Sequence, residues 1–314
     1  MDEPAGGGLS HAAFFYRGQP DYVAAIVAFV QSGLAAGEPA LVAVPGTKAS
    51  VIRDQLPAVP GEVVFTDMAE LGRNPARITP EVRAFADKHP GQRVRFVGEP
   101  IWPGRSAAEI GEAARHEALI NLAFARAPMT ILCPYDASGL AGSVLAGARR
   151  THQEPAASGA TGRTWRDNLP PGCDRPLHPV PAEAEVLAYD TDLGPVRRLV
   201  AGHARRAGLG EERTVDLVLA VNEVAANTIS HTTGGGVLHV WHTPGEIVCQ
   251  VHDQGEITDP LAGRVRHGPD DRGHGLWLVN QVCDLVEPRT GPAGTTVRMH
   301  IRRGGGTAGV PRGA

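Results

Sequence analysis

Cysteine is scarce in this chain. Its 314 residues hold four, Cys133, Cys173, Cys249 and Cys283, far apart and with no C-x-x-C pair among them. This argues against a disulfide framework and predicts free thiols in a reducing compartment. Lysine is scarcer: Lys48 and Lys88 stand alone, so nearly all the basic charge is arginine. The net charge of −4 offers no basic surplus, so neither direct nucleic-acid binding nor an anionic membrane is expected. No apolar run approaches the roughly 20 residues that span a bilayer. The opening MDEPAGGGLS is acidic and glycine-rich where a signal peptide is basic and then apolar. A soluble cytoplasmic protein is the expectation.

What is present is ordinary globular material, 42% hydrophobic and 20% charged. The length predicts two domains. Residues 9–150 alternate short β-rich runs with helical patterns. Strands are expected at 39–44, 62–66, 94–97 and 129–133. Helices are expected at 22–36, 49–56, from Thr79 as N-cap with Pro80 first, at 106–126 with a Ser106/Glu109 capping box, and at 137–149. Such alternation implies βα units and a mainly parallel sheet, with ligands beyond the carboxyl ends of the strands. PGTKAS (45–50) follows a strand and opens a helix as a phosphate loop would, yet lacks the G-x-x-x-x-G-K-[ST] spacing, which argues against ATP there. Glu99, Trp102, Tyr135 and Asp136 are pocket candidates, although proline-flanked aromatics also bury themselves to shape turns.

Residues 151–182 are rich in proline, glycine, alanine and serine and read as a linker, with Trp165 and Cys173 as docking candidates. The stretch is too short for a phosphoacceptor helical hairpin, and His178 lies between Leu177 and Pro179 in an extended segment. In residues 183–303, helices at 193–207 and 211–231 precede a hairpin of strands at 237–243 and 246–253. A glycine-, proline- and aspartate-rich loop (254–272), a helix (274–283) and strands at 284–289 and 295–302 follow. An α/β sandwich with a mixed or antiparallel sheet is expected. Residues 304–314 read as a disordered tail.

The long helix carries Glu223, Asn227 and His231 at four-residue intervals, one stripe of carboxylate, amide and imidazole. Hard oxygens of that kind suit a nucleotide-bound Mg²⁺, and a carboxylate there suits a base toward a hydroxyl. Val218, Val221, Ala225 and Ile229 fall opposite, so the stripe also serves as the solvated face of an amphipathic helix. Asp253 ends a strand and is followed by Gly255, a pairing that lets a base with an exocyclic amino group approach. Arg272-Gly273-His274-Gly275 opens a helix whose free N–H groups suit phosphate. Gly294-Thr295 opens the last strand, with a hydroxyl to hold the base-side Asp or a water. The order of these signals within one domain points to a nucleotide.

Two resemblances follow from these residues. His11, Phe15-Tyr16, residues 33–42, Gly98-Glu99-Pro100, Glu117 with Asn121, and residues 133–136 resemble the MEDS sensory domain, which implies a RecA-like α/β core that senses an unknown small molecule. Residues 185–302 resemble the GHKL (histidine kinase-like) ATPases, and most closely their RsbW-like anti-sigma-factor kinase branch. That resemblance implies ATP and Mg²⁺ as cofactors. Asn227 would coordinate the metal, Glu223 would orient or deprotonate the attacking hydroxyl, Asp253 would read adenine, and His231, Gly255, Gly273, Gly275 and Thr295 would complete the motifs. Residues 256–274 would form a lid whose cations are Arg264, Arg266, Arg272, His267 and His274. Ile257 departs from the pattern, standing where a second glycine often follows Asp-x-Gly. The implied function is a serine/threonine kinase acting on a STAS-type anti-anti-sigma protein, with a sigma factor as second partner and a homodimer as a further expectation. A non-catalytic ATP-gated sigma-binding module, or a histidine kinase-like protein acting in trans, stays open.

Overall fold

The computed structural model describes residues 8–56, 60–152, 175–232, 234–265 and 274–304. The chain divides into two compact units, with the boundary between Asp174 and Arg175.

In the first unit five strands form an all-parallel sheet. They are β1 (Leu9–Tyr16), β2 (Ala40–Val44), β3 (Val63–Asp67), β4 (Val94–Gly98) and β5 (Met129–Asp136), in the order β1-β5-β4-β2-β3. β2 reads ALVAV and is buried throughout, as a strand covered on both faces must be. Its side chains alternate between two cores. Ala40, Val42 and Val44 meet α1 (Gln19–Ala35) and α2 (Gly46–Gln55); Leu41 and Ala43 meet the helices of the other face. Those are α3 (Met68–Leu71), α4 (Ile78–Asp87), α5 (Ala107–Ala123) and α6 (Gly142–Thr151). This layering gathers the ends of β1, β2, β4 and β5 at one edge.

Several local expectations change. Thr79 is not an N-cap. A 3₁₀ turn (Pro75–Arg77), capped by the Asn74 side chain on the Ala76 N–H at 3.3 Å, runs straight into α4. Thr79 is instead buried, its hydroxyl 3.4 Å from His116 Nδ1. The Ser106/Glu109 capping box does form. The helix after β5 begins at Gly142, not 137, because Asp136 Oδ1 accepts the Ser138 and Gly139 N–H groups and holds a turn there. β5 continues through Pro134, where only β1 pairs with it, so the missing N–H interrupts no central ladder.

The second unit is an antiparallel sheet, β6 (Glu185–Tyr189), β7 (Gly236–Thr243), β8 (Glu246–Asp253), β9 (Leu285–Gly291) and β10 (Gly294–Arg302), ordered β6-β7-β8-β10-β9. α7 (Gly194–Arg206), α8 (Glu211–His231) and α9 (His274–Val282) cover one face. On the other face Arg298 bonds Gln250 Oε1 at 2.6 Å, lies over the Trp241 ring, and donates to the His178 carbonyl at 2.7 Å. Arg289 donates to the Arg175 carbonyl at 2.7 Å. Residues 175–178, read as linker from the sequence, are therefore tied to this sheet.

α8 starts with Glu211 and Glu212 at its positive dipole end. It buries Leu217, Ala220, Val221, Val224, Ala225 and Thr228, a stripe at three- and four-residue spacing between α7 and α9. The stripe is displaced from the expected Val218–Val221–Ala225–Ile229 line; Val218 is only partly buried. Arg213 fixes the start of the helix, donating to Asp284 Oδ2 at 2.5 Å and to the Val282 carbonyl at 2.7 Å.

Candidate functional site

Displacement of the buried stripe leaves Glu223 and Asn227 half-buried on the flank of α8, while His231 is exposed at its last position. The first turn of α9 runs past that flank. A Cβ placed on Gly275 would lie 3.2 Å from Glu223 Oε2, 3.2 Å from Asn227 Nδ2 and 3.5 Å from Asn227 Oδ1. A methyl group would thus fill the space between the helix opening and the two polar side chains. A carboxylate and a carboxamide oxygen, facing the first turn of a helix whose N–H groups lack intrahelical partners, form a cradle for a hard cation and the oxyanions it bridges. Mg²⁺ and a nucleotide fit this donor set.

A second group gathers around Thr228, on the buried stripe of α8. Asp253, at the end of β8, holds its carboxylate with two bonds. The Gly255 N–H reaches Oδ1 at 2.7 Å, and the Thr228 hydroxyl donates to Oδ2 at 2.6 Å. Thr228 accepts in turn from the Tyr189 hydroxyl at 3.0 Å. Burial, reinforced by the charge of Asp253 against the opposing Thr228 bond, pushes the Tyr189 phenol up to about 12, so it stays a donor. Each Asp253 oxygen keeps a lone pair for a further donor. Gly294 has φ +105, and a Cβ there would come within 2.0 Å of the Asp253 carbonyl, so only glycine lets β10 pass this close.

The Thr295 hydroxyl does not reach Asp253. It donates to the Gly255 carbonyl at 2.9 Å and meets Thr290 Oγ1 at 2.9 Å. Thr290 accepts the Ile257 N–H at 3.1 Å. The backbone after Asp-x-Gly is therefore pinned to β9 and β10 where the second glycine is missing. Thr228, Thr290 and Tyr189 were not singled out from sequence. Thr228 adjoins Asn227, but hydroxyls inside helices are commonplace, and only the β8 contact gives it meaning. Arg264, expected among the cations of the lid, is buried. His274 opens α9. Arg266, His267, Arg272 and Gly273 lie outside the described residues, as do Trp165 and Cys173.

In the first unit a cleft of about 370 Å³ opens beside the ends of β1, β2 and β5, lined by Tyr16, Gln19, Tyr22, Thr47, Lys48 and Asp136 among others. Glu99 lies beneath it with no solvent exposure. It accepts from Tyr16 at 2.9 Å, Tyr22 at 2.8 Å and Lys48 Nζ at 2.6 Å. Burial pushes the Glu99 carboxyl up against the pull of Lys48 and both phenols, and burial beside Glu99 pushes both phenols far up. Lys48 in PGTKAS is thus committed to a carboxylate. Of the four pocket candidates only Asp136 lines the cleft. Trp102 stacks under Arg105, and Tyr135 is buried against Phe15.

Comparison with known families accords with this division. No curated protein matches the chain. Residues 10–153 match the family described as MEDS, the methanogen/methylotroph DcmR sensory domain, and residues 186–301 match the histidine kinase-like ATPase domain. The chain joins a MEDS sensory domain to a histidine kinase-like ATPase domain.

Proposed function

We propose that this protein is a regulatory serine/threonine kinase. Its ATPase domain takes Mg²⁺·ATP and passes the γ-phosphoryl group to a STAS-type anti-anti-sigma protein, holds a sigma factor by the same domain, and answers to a small molecule in the MEDS domain. The observation that carries this reading is the meeting of Glu223 and Asn227 with Gly275. When bound, Mg²⁺·ATP supplies the activated phosphoryl group and the charge that offsets its oxygens. Asn227 holds the metal. Glu223 would take the proton of the incoming seryl or threonyl hydroxyl. The N–H groups opening α9 receive phosphate oxygens. Asp253, kept in place by Thr228, accepts from the adenine amino group. The described stretch from Arg175 to Ala184 has no helix that could carry a phosphoacceptor histidine, which favours an acceptor on another chain.

The test is transfer of labelled phosphate from ATP to STAS proteins of the native cell, comparing the wild type with Glu223→Ala. Acid-stable label on the STAS protein, lost in Glu223→Ala with ATP affinity retained, is expected. Equal labelling by both removes Glu223 from its role. ATP binding without transfer turns the reading to a sequestering module, and an acid-labile product turns it to a histidine kinase acting in trans.

A further inference from the structure

Inside the MEDS domain, away from the cleft, four side chains converge that the sequence keeps far apart. His11 comes from β1, Cys133 from β5, Glu117 from α5 and His152 from just beyond α6. Their potential ligand atoms all lie within 4.8 Å of one another. His11 Nε2 is 3.2 Å from Glu117 Oε2 and 3.2 Å from Cys133 Sγ; His152 Nε2 is 3.1 Å from the same Glu117 oxygen. The two imidazoles and the carboxylate are 2–3% exposed, and the cysteine is equally buried.

Both rings have their other nitrogen engaged. His11 Nδ1 is 2.9 Å from Asn121 Oδ1, and His152 Nδ1 is 2.7 Å from the Ala148 carbonyl. Each acceptor calls for a proton on Nδ1, which leaves Nε2 with its lone pair in the neutral ring. Two nitrogen lone pairs and a carboxylate oxygen then face one another inside a protein, an arrangement that repels unless a cation lies between them. Glu117 Oε2 and His152 Nε2 accordingly lack hydrogen-bond geometry to any partner. Bonds of about 2.0–2.1 Å to a tetrahedral zinc separate neighbouring ligand atoms by about 3.3 Å, close to the spacing found. Asn121 also donates to the Thr151 carbonyl at 3.0 Å, fixing the end of α6 beside His152. Outer partners that set ring tautomer and direction accompany most metal-bound histidines. With a thiolate and a carboxylate in the set, a divalent ion leaves the buried site neutral, and the mixed N, O, S donors suit a borderline first-row metal.

We propose that His11, Glu117, Cys133 and His152 bind one divalent transition-metal ion of the zinc class inside the MEDS domain. His152 lies at the C-terminal end of the stretch, residues 10–153, that matches the MEDS family.

The test uses the full chain purified without chelators or a polyhistidine tag. Close to one equivalent of metal per chain is expected. After its removal, Co²⁺ should restore a thiolate-to-metal charge-transfer band in the near ultraviolet and intense visible bands of a four-coordinate ion. Cys133→Ser should lose the charge-transfer band while Cys249→Ser keeps it. Asn121→Ala, which removes no ligand, should weaken affinity by about 10–100-fold. Metal-free protein as isolated, together with no Co²⁺ spectrum in wild-type chain whose circular dichroism is native, overturns the proposal and leaves a buried histidine–carboxylate ion pair. So does a charge-transfer band that survives Cys133→Ser.

Discussion

At the scale of single residues, Thr228 carries two demands at once. Its hydroxyl donates to Asp253 and accepts from Tyr189, and it is almost fully buried. Thr228→Val keeps the shape and strands both partners, so a loss of about 1–3 kcal/mol is expected, read from chemical denaturation without nucleotide. ATP affinity should fall as well, because Asp253 loses the bond that directs it. Unchanged stability would mean that water replaces the hydroxyl there. His300 makes a pH-dependent contribution. Its ring bridges Glu246 at 3.1 Å and Glu287 at 2.9 Å. Burial disfavours its charge, but the two carboxylates outweigh burial and hold its pKa above the ordinary value. The resulting stability is complete below about pH 6.5 and is lost as pH rises through the raised value, at no more than about 1.4 kcal/mol per pH unit. Glu246 is held low first by its bond to His300. Glu287 is held low by the same ring against its own burial. Their contribution is present above about pH 4.5 and lost as pH falls through their lowered values. His300→Gln should flatten the decline in unfolding temperature between pH 6 and 8, as followed by circular dichroism; an unaltered profile would sink this account.

At the scale of elements, α8 organises the ATPase domain. Leu217 is wholly buried between α7, α9 and the sheet, so Leu217→Ala should cost about 2–5 kcal/mol through lost burial and the cavity left behind. A loss well under that range would mean the helices close over the gap. Local signals made this element legible: residues 211–231, with acidic residues leading and glycines following, are bounded in the structure as in the sequence. β2 was legible for the same reason, as an unbroken apolar run. β1 and β6 were not, because their identity comes from partners more than 40 residues away, at β5 and β7. Thr79 shows the reverse failure. A threonine followed by proline has the local chemistry of a helix start, but the chain was already helical from Pro75, and the packing against His116 decided its place. The Glu223/Asn227 stripe, Asp253-x-Gly255 and Gly294-Thr295 could be picked out because each is local in sequence. The Thr228–Asp253 bond and the His11, Glu117, Cys133 and His152 cluster could not, since they join residues that only the sheet pairing and helix packing bring together. The cysteine count, read as free thiols, carried no sign that Cys133 would face two imidazoles.

At the scale of the whole molecule, each unit has its own sheet and its own buried cores. A domain with its own core unfolds as a cooperative unit, so calorimetry of the full chain should resolve two transitions. A ligand raises the stability of the unit that binds it by RT ln(1 + [L]/Kd), about 2.7 kcal/mol at a hundredfold excess over Kd. For domains of this size that is a rise of several degrees. Mg²⁺·ATP should therefore lift the transition of the unit containing residues 175–304 most. Chelation should lower the transition of the unit containing residues 8–152 if the buried His–Glu–Cys cluster holds a metal. The two perturbations are separable in one instrument: nucleotide without metal loss tests the Glu223–Asn227 cradle, and chelator without nucleotide tests the cluster. A rise of both transitions with ATP alone would show thermodynamic coupling between the two units, the property that the proposed ligand-controlled kinase requires. A shift in neither would remove nucleotide from the account of this protein.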